Sequence, residues 1–145
     1  MTGYDQDNIF ARILRGDIPC HKVHEDADTL AFMDIMPQAE GHVLVIPKAP
    51  SRNLLDADPA VFSALMATTQ RIARALRRAF GAPGVLVKQY NEAAAGQTVF
   101  HLHIHVIPCH EGQELKAHTG AMADHALLAE QAKRIAAAMG GAKHG

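Results

Sequence analysis

Phe100-His101-Leu102-His103-Ile104-His105-Val106-Ile107 alternates histidine with aliphatic side chains from 101 to 106. Successive side chains on a strand switch faces, so His101, His103 and His105 share one face while Leu102, Ile104 and Val106 share the other. The aliphatic face belongs to a core. The histidine face therefore lines a surface or cleft, with neighbouring rings about 7 Å apart from the strand rise. The pattern predicts a strand over 99–107.

Working back from it, Glu92 to Gln97 reads as a small-residue loop and Val85 to Asn91 as another strand. The longest helix starts at Asp58-Pro59, an N-cap with proline in the first turn. Phe62, Leu65, Met66, Thr69, Ile72, Leu76 and Phe80 hold its 3.6-residue period, and Gly81 stands where a left-handed cap belongs. Arg71, Arg74, Arg77 and Arg78 fall on its polar face and read as a solvated surface. His42 to Pro47 is a buried strand, preceded by a loop over 36–41. Lys22 to Glu25 and Thr29 to Asp34 form a hairpin around Asp26-Ala27-Asp28. Asp7 to Arg15 is a short amphipathic helix with Asp7 as its expected N-cap and Gly16 as its stop. Downstream of the triad, Asp124 to Met139 is a last helix, and 142–145 is a fraying end. The order α-β-β-β-α-β-β-α, with short turns between strands, predicts an α+β fold with a five-stranded antiparallel sheet.

The 145 residues suit one domain spanning 1–145, with its core in 8–108 and a helical extension over 109–145. The formal net charge of −1 lacks the basic excess expected of a protein that lives on nucleic acid. Cys20 and Cys109 have no paired spacing and imply no disulfide framework. The opening residues are polar and acidic, with no leader-like apolar stretch, and no run is long enough to span a bilayer. A cytoplasmic protein without a membrane or nucleic-acid partner is expected.

The histidine face admits three readings. It could be a polar sheet face, although threonine or lysine would serve as well. It could hold a metal, since histidines two apart on a strand are a common zinc pair and His42 could add a ligand. Or one imidazole is a nucleophile toward phosphorus, with the others orienting it and protonating the leaving group.

The His-φ-His-φ-His-φ-φ pattern resembles the signature of the histidine-triad (HIT) family. So do Ile9-Phe10 with Ile13 and Ile18-Pro19, the block Leu30 to Ile35 with Pro37, Gly41 to Lys48, and Asn91-Glu92 followed by Gly96 to Val99. The resemblance runs in order over residues 8 to 108 and implies a HIT-like fold and a homodimer whose two sheets join. It implies that His103 attacks the α-phosphorus of a purine nucleotide conjugate, that His105 serves the phosphate and leaving group, and that His101 and His42 support them. Asp34 would accept from the ribose hydroxyls. Ile9, Phe10, Ile13, Ile35 and Leu44 would form the base slot, and Asn91, Gln97 and Thr98 would donate to phosphate or leaving group. The implied activity is hydrolysis or transfer through a nucleotidyl-histidine, on a nucleoside phosphoramidate or similar compound. Hydrolysis of dinucleoside polyphosphates is the alternative within the class. A nucleotide- or partner-binding module and a metal-binding protein are the alternatives outside it.

Two departures bear on this. A Cys-x-x-Cys that helps bind structural zinc in many bacterial members is replaced by Asn8 and Ala11, so no cofactor is expected to be required. After the triad the chain reads Pro108-Cys109-His110-Glu111, without the glycine pair of the phosphoramidase branch.

Overall fold

A computed structural model of the chain describes residues 3–117 and 121–140; the fraying end expected over 142–145 lies outside them. Its elements are α1 (Ile9–Leu14), β1 (Lys22–Glu25), β2 (Thr29–Met33), β3 (Val43–Pro47), α2 (Pro59–Phe80), β4 (Gly84–Lys88), β5 (Ile104–Cys109) and α3 (His125–Gly140). One turn of 3-10 helix, Ala93–Ala95, sits between β4 and β5. The strands form one sheet in the order β1-β2-β3-β5-β4, and every pairing is antiparallel. The expected α+β class and five-stranded antiparallel sheet are what the molecule has.

Strand alternation gives the sheet two working faces. On one, Ala31, Met33, Val43, Val45, Ile104 and Val106 pack with Leu65, Ile72 and Leu76 of α2 and Leu128 and Ile135 of α3. Fully burying one such Leu or Ile side chain contributes about 1.5–3 kcal/mol, so this layer dominates the core. On the other face, Leu30, Phe32, Leu44 and Ile46 pack under Phe10 of α1. That second layer is thinner, and it carries the histidines.

Local rules explain the element ends. Asp58 accepts from the Ala60 N–H at 2.8 Å, Pro59 follows, and Gly81 closes α2 with φ 58°. The N-cap of α1 is Asn8, not Asp7. Its side chain accepts from the N–H groups of Phe10 and Ala11 at 3.0 and 2.9 Å, while Asp7 stays exposed. Gly41 has φ 87°, and a Cβ there would lie 2.6 Å from the Phe80 ring. Only glycine fits this turn, which delivers His42 to the edge of β3.

Strand ends also differ from the sequence reading: β2 stops at Met33, β3 starts at Val43, β4 starts at Gly84 and β5 runs on to Cys109, shifts of one or two residues, and two ends differ by more. β4 stops at Lys88, three residues short, because Gln89 and Asn91 pair their side-chain amides with each other instead of continuing a ladder. β5 starts at Ile104, so His101 and His103 precede the ladder. In that stretch the Leu102 N–H donates to the Ser51 carbonyl at 2.8 Å.

Candidate active site

Register places the site. Phe32 pairs with Leu44 and Leu44 with His105, so the residues two steps along, Asp34 and His42, fall on the same face as His105. The Asp34 N–H donates to the His42 carbonyl at 3.0 Å and extends the β2–β3 ladder to this point. The histidine face lines a cleft, not an open surface: His42, His101, His103 and His105 are all buried. Phe10 meets the His103 ring edge-on at 5.0 Å between centroids. The His103 and His105 centroids are 5.1 Å apart, closer than a regular strand gives, because His103 curls back to the carbonyl of His101.

Hydrogen-bond partners fix which ring nitrogen carries each proton. The His103 Nδ1 lies 2.7 Å from the His101 carbonyl. A carbonyl only accepts, so Nδ1 holds the proton and Nε2 is the basic nitrogen. For His42 the logic runs the other way. Its Nδ1 accepts from the backbone N–H of Gln38 at 3.0 Å, so its proton is on Nε2. That nitrogen lies 3.0 Å from His105 Nδ1 and 3.5 Å from an Asp34 carboxylate oxygen. His105 Nδ1 therefore accepts, and His105 Nε2 carries the proton. His101 donates from Nε2 to the Pro47 carbonyl at 2.8 Å and accepts at Nδ1 from the Tyr4 hydroxyl at 2.6 Å. Burial pushes the pKa of His101 down, which favours the neutral ring.

Beside this relay lies a cavity of about 180 Å³, walled by Ile9, Phe10, Ile13, Phe32, Ile35, Leu44 and Val99, with Asp34, Thr98, His103 and His105 on its polar side. That is below the roughly 300–1,000 Å³ of a pocket for a whole drug-sized ligand, so it suits one flat apolar fragment. Phe10 and Leu44 are buried and serve the core as well. Ile9 and Ile35 are 43% and 37% exposed, which a pure core role does not explain.

Asn91 and Gln97 are not in the cavity wall. Asn91 Oδ1 accepts from the Leu54 N–H at 2.9 Å. The Gln97 carboxamide is saturated: Oε1 accepts from Asn53 and the Glu92 N–H, and Nε2 donates to the carbonyls of Arg52 and Val99. Both tie the 89–97 loop to the 51–56 loop. The same tie holds Glu92 at φ 74°, with its carboxylate accepting from Arg52 Nε and Nη2 at 2.8 and 2.9 Å. The Arg52 guanidinium and Asn53 hold the Glu92 carboxyl down at about 2.

Tyr4, Gln38 and the Pro47 carbonyl help set the histidine tautomers, and none of them has a site role legible in the sequence. Tyr4 had one signal, an aromatic ring in an otherwise polar opening segment. Gln38 and a backbone carbonyl had none.

Donor chemistry also bears on metals. Asp34, His42 and His105 offer ligand atoms within 4.8 Å of one another. Ligation through His42 Nε2 would need its proton on Nδ1, where it would face the Gln38 N–H, so this set suits a hydrogen-bond relay better than an ion. The residues at the family's zinc positions do not fit that metal. Asn8 spends its side-chain oxygen capping α1, and Ala11 offers a methyl group.

A sheet of this topology with a histidine triad under a short N-terminal helix defines a histidine-triad protein. The HIT domain model matches residues 15–112, and the chain belongs to that family. It is similar in structure to a Hit-like protein involved in cell-cycle regulation from Bartonella henselae, with TM-score 0.91 and 52% identity over 94% of this chain and 99% of that one. A zinc-bound histidine triad family protein from Mycobacterium smegmatis gives TM-score 0.84 and 34% identity, covering 96% and 97% of the two chains. In sequence it is 39% identical over 102 residues to the adenylylsulfatase HINT3 of Arabidopsis thaliana, covering 70% of this chain and 52% of that protein.

Proposed function

We propose that this protein hydrolyses purine nucleotide conjugates at the α-phosphate through a nucleotidyl-His103 intermediate. The observation that carries the reading is the opposite tautomers of adjacent triad rings. His103 presents a basic Nε2 because a carbonyl holds its other proton, and His105 presents an N–H because His42 fills its Nδ1. A nucleophile and a donor stand side by side on one cavity wall.

In the first step the Nε2 lone pair of His103 forms a bond to the α-phosphorus while the bond to the leaving atom breaks and its electron pair departs with that atom. A sulfate or other weakly basic group leaves as an anion. An amine leaves with the proton of His105 Nε2, and the ring regains one from solvent. Water then adds to phosphorus, the N–P electron pair returns to Nε2, and the surplus proton goes to solvent. The two steps together consume only water. A base in the apolar slot, with the ribose hydroxyls toward Asp34 and a phosphate oxygen toward Thr98, would bring phosphorus to His103. The relative named an adenylylsulfatase supports an adenylyl conjugate as substrate. The phosphoramidate reading is kept over dinucleoside polyphosphates because the His105 donor matters most for a basic leaving group.

Incubating the protein with an adenosine 5′-phosphoramidate and, separately, a diadenosine polyphosphate tests this by release of AMP. His103→Ala abolishes turnover while nucleotide affinity stays within about tenfold, because the attack belongs to the transition state. A variant that keeps most of its activity contradicts the mechanism. Tight binding without turnover by the unaltered protein would make it a binding module.

The proposal includes a homodimer. β4 is an edge strand, and Leu86 and Val87 on its two faces are 37% and 42% exposed. Its outer N–H and C=O groups are suited to pairing with a second copy.

A further inference from the structure

Gln38 stands outside the cavity wall, yet its backbone fixes one end of the His42–His105 relay. Its backbone N–H holds His42 Nδ1 at 3.0 Å. Were His42 Nδ1 to carry a proton instead, His42 Nε2 would accept from His105 Nδ1, and His105 Nε2 would lose the proton it offers the leaving group. This amide, together with the Asp34 carboxylate 3.5 Å from His42 Nε2, therefore favours a His105 that donates over one that cannot.

The rest of Gln38 is fastened on three sides. Its backbone carbonyl accepts from the Lys116 N–H at 2.7 Å, and its Nε2 donates to the Lys116 carbonyl at 2.9 Å. Its Oε1 accepts from the ammonium of Lys88. Lys88 is the β4 residue paired with His105, and Lys116 belongs to the segment that follows β5. The side chain is buried, and each polar atom of the carboxamide has a partner. A buried carboxamide with these bonds is rigid, because losing either partner leaves a desolvated polar group at a cost of about 1–3 kcal/mol.

We infer that Gln38 is a positioning residue for leaving-group protonation: anchored by Lys88 and Lys116, it presents the amide that keeps His42 and His105 in the donating tautomer. The inference rests on the histidine mechanism proposed above. It goes beyond that mechanism in predicting an effect that depends on the leaving group, because a strongly basic amine needs the proton and a nitrophenolate does not.

The test compares an alkyl phosphoramidate of AMP with the 4-nitrophenyl ester of AMP, using the full chain and its Gln38→Ala and Gln38→Glu variants. General acid catalysis contributes about 10²–10⁴-fold, so loosening the donor in Gln38→Ala is expected to lower kcat/KM on the amidate by about tenfold or more. The same variant loses less than about threefold on the nitrophenyl ester, where the attack by His103 is unaltered. Gln38→Glu keeps an acceptor for Lys88 and recovers part of the amidate activity. Should Gln38→Ala fail to fold, as judged by circular dichroism, Lys88→Ala tests the same anchor and shows the same selective loss. Equal losses on both substrates, or no loss on the amidate, overturn the inference. Failure of the unaltered protein to cleave either compound would instead remove the histidine mechanism itself.

Discussion

His103 donates from Nδ1 to the His101 carbonyl, His42 donates to Nδ1 of His105, and His101 donates from Nε2 to the Pro47 carbonyl. The roles of chemically identical side chains are divided by backbone groups that no residue type announces. The triad was therefore legible in the sequence as a set of histidines, but the partners that distinguish one ring from the next were not. Asp34 shows the same limit. Its position after a strand was readable, whereas its 3.5 Å approach to His42 and its acceptance of the Met36 N–H at 2.9 Å depend on the β2–β3 register. In the proposed reaction its carboxylate receives the ribose hydroxyls. Asp34→Ala is expected to weaken binding of adenosine nucleotides more than that of their 2′-deoxy analogues, by a few-fold to about tenfold in Kd for a lost hydrogen bond of about 0.5–1.5 kcal/mol. Equal losses for the two nucleotides in a calorimetric titration would take Asp34 out of that role.

At the scale of elements, α1 decides whether there is a slot. Six residues are too few for a helix to hold by propensity, so α1 depends on its cap and on Phe10 packed against Phe32, 5.4 Å away. The sequence showed the apolar stripe of this helix and its glycine stop, but it pointed to Asp7 as the cap. Asp7 and Asn8 are both good caps, and only the path of the chain before the helix separates them. Asn8→Ala is expected to cost about 0.5–2 kcal/mol, read as a lower urea midpoint. Activity on a purine nucleotide should fall with it, because the slot wall frays. An unchanged midpoint would mean that packing alone holds α1. Alternation showed which residues share a face, and Leu102, Ile104 and Val106 are indeed in the core layer. It did not show that the ladder begins at Ile104, since the bond from the Leu102 N–H to Ser51 is a long-range event. Gln97 is the clearest case of a role hidden from sequence: its four hydrogen bonds tie two loops together beyond the cavity wall.

Across the whole molecule, the sheet separates the larger apolar core from the candidate site. α2 and α3 cover one face with the larger apolar layer, and the relay and slot occupy the other. Among the described residues no helix is long and apolar enough to cross a membrane. The antiparallel arrangement was legible from runs of strands joined by short turns. The strand order was not, because the pairing of β3 with β5 across α2 is a matter of tertiary packing. That order leaves β4 at an edge, and the proposed dimer forms there. Val87→Lys places a charge on this edge and is expected to shift the protein from dimer to monomer in light scattering. A variant that keeps the mass of the unaltered protein would place the dimer elsewhere, and a monomeric unaltered protein would remove it.

The covalent step is the centre of the account, and it can be observed directly. The protein is mixed with an adenosine 5′-phosphoramidate, quenched during turnover, and analysed by intact-mass and peptide mass spectrometry. One adenylate per chain is expected, on the peptide containing His103, lost in acid and absent from His103→Ala. An active protein that accumulates no adduct under any quench, or that carries it on another residue, would contradict it.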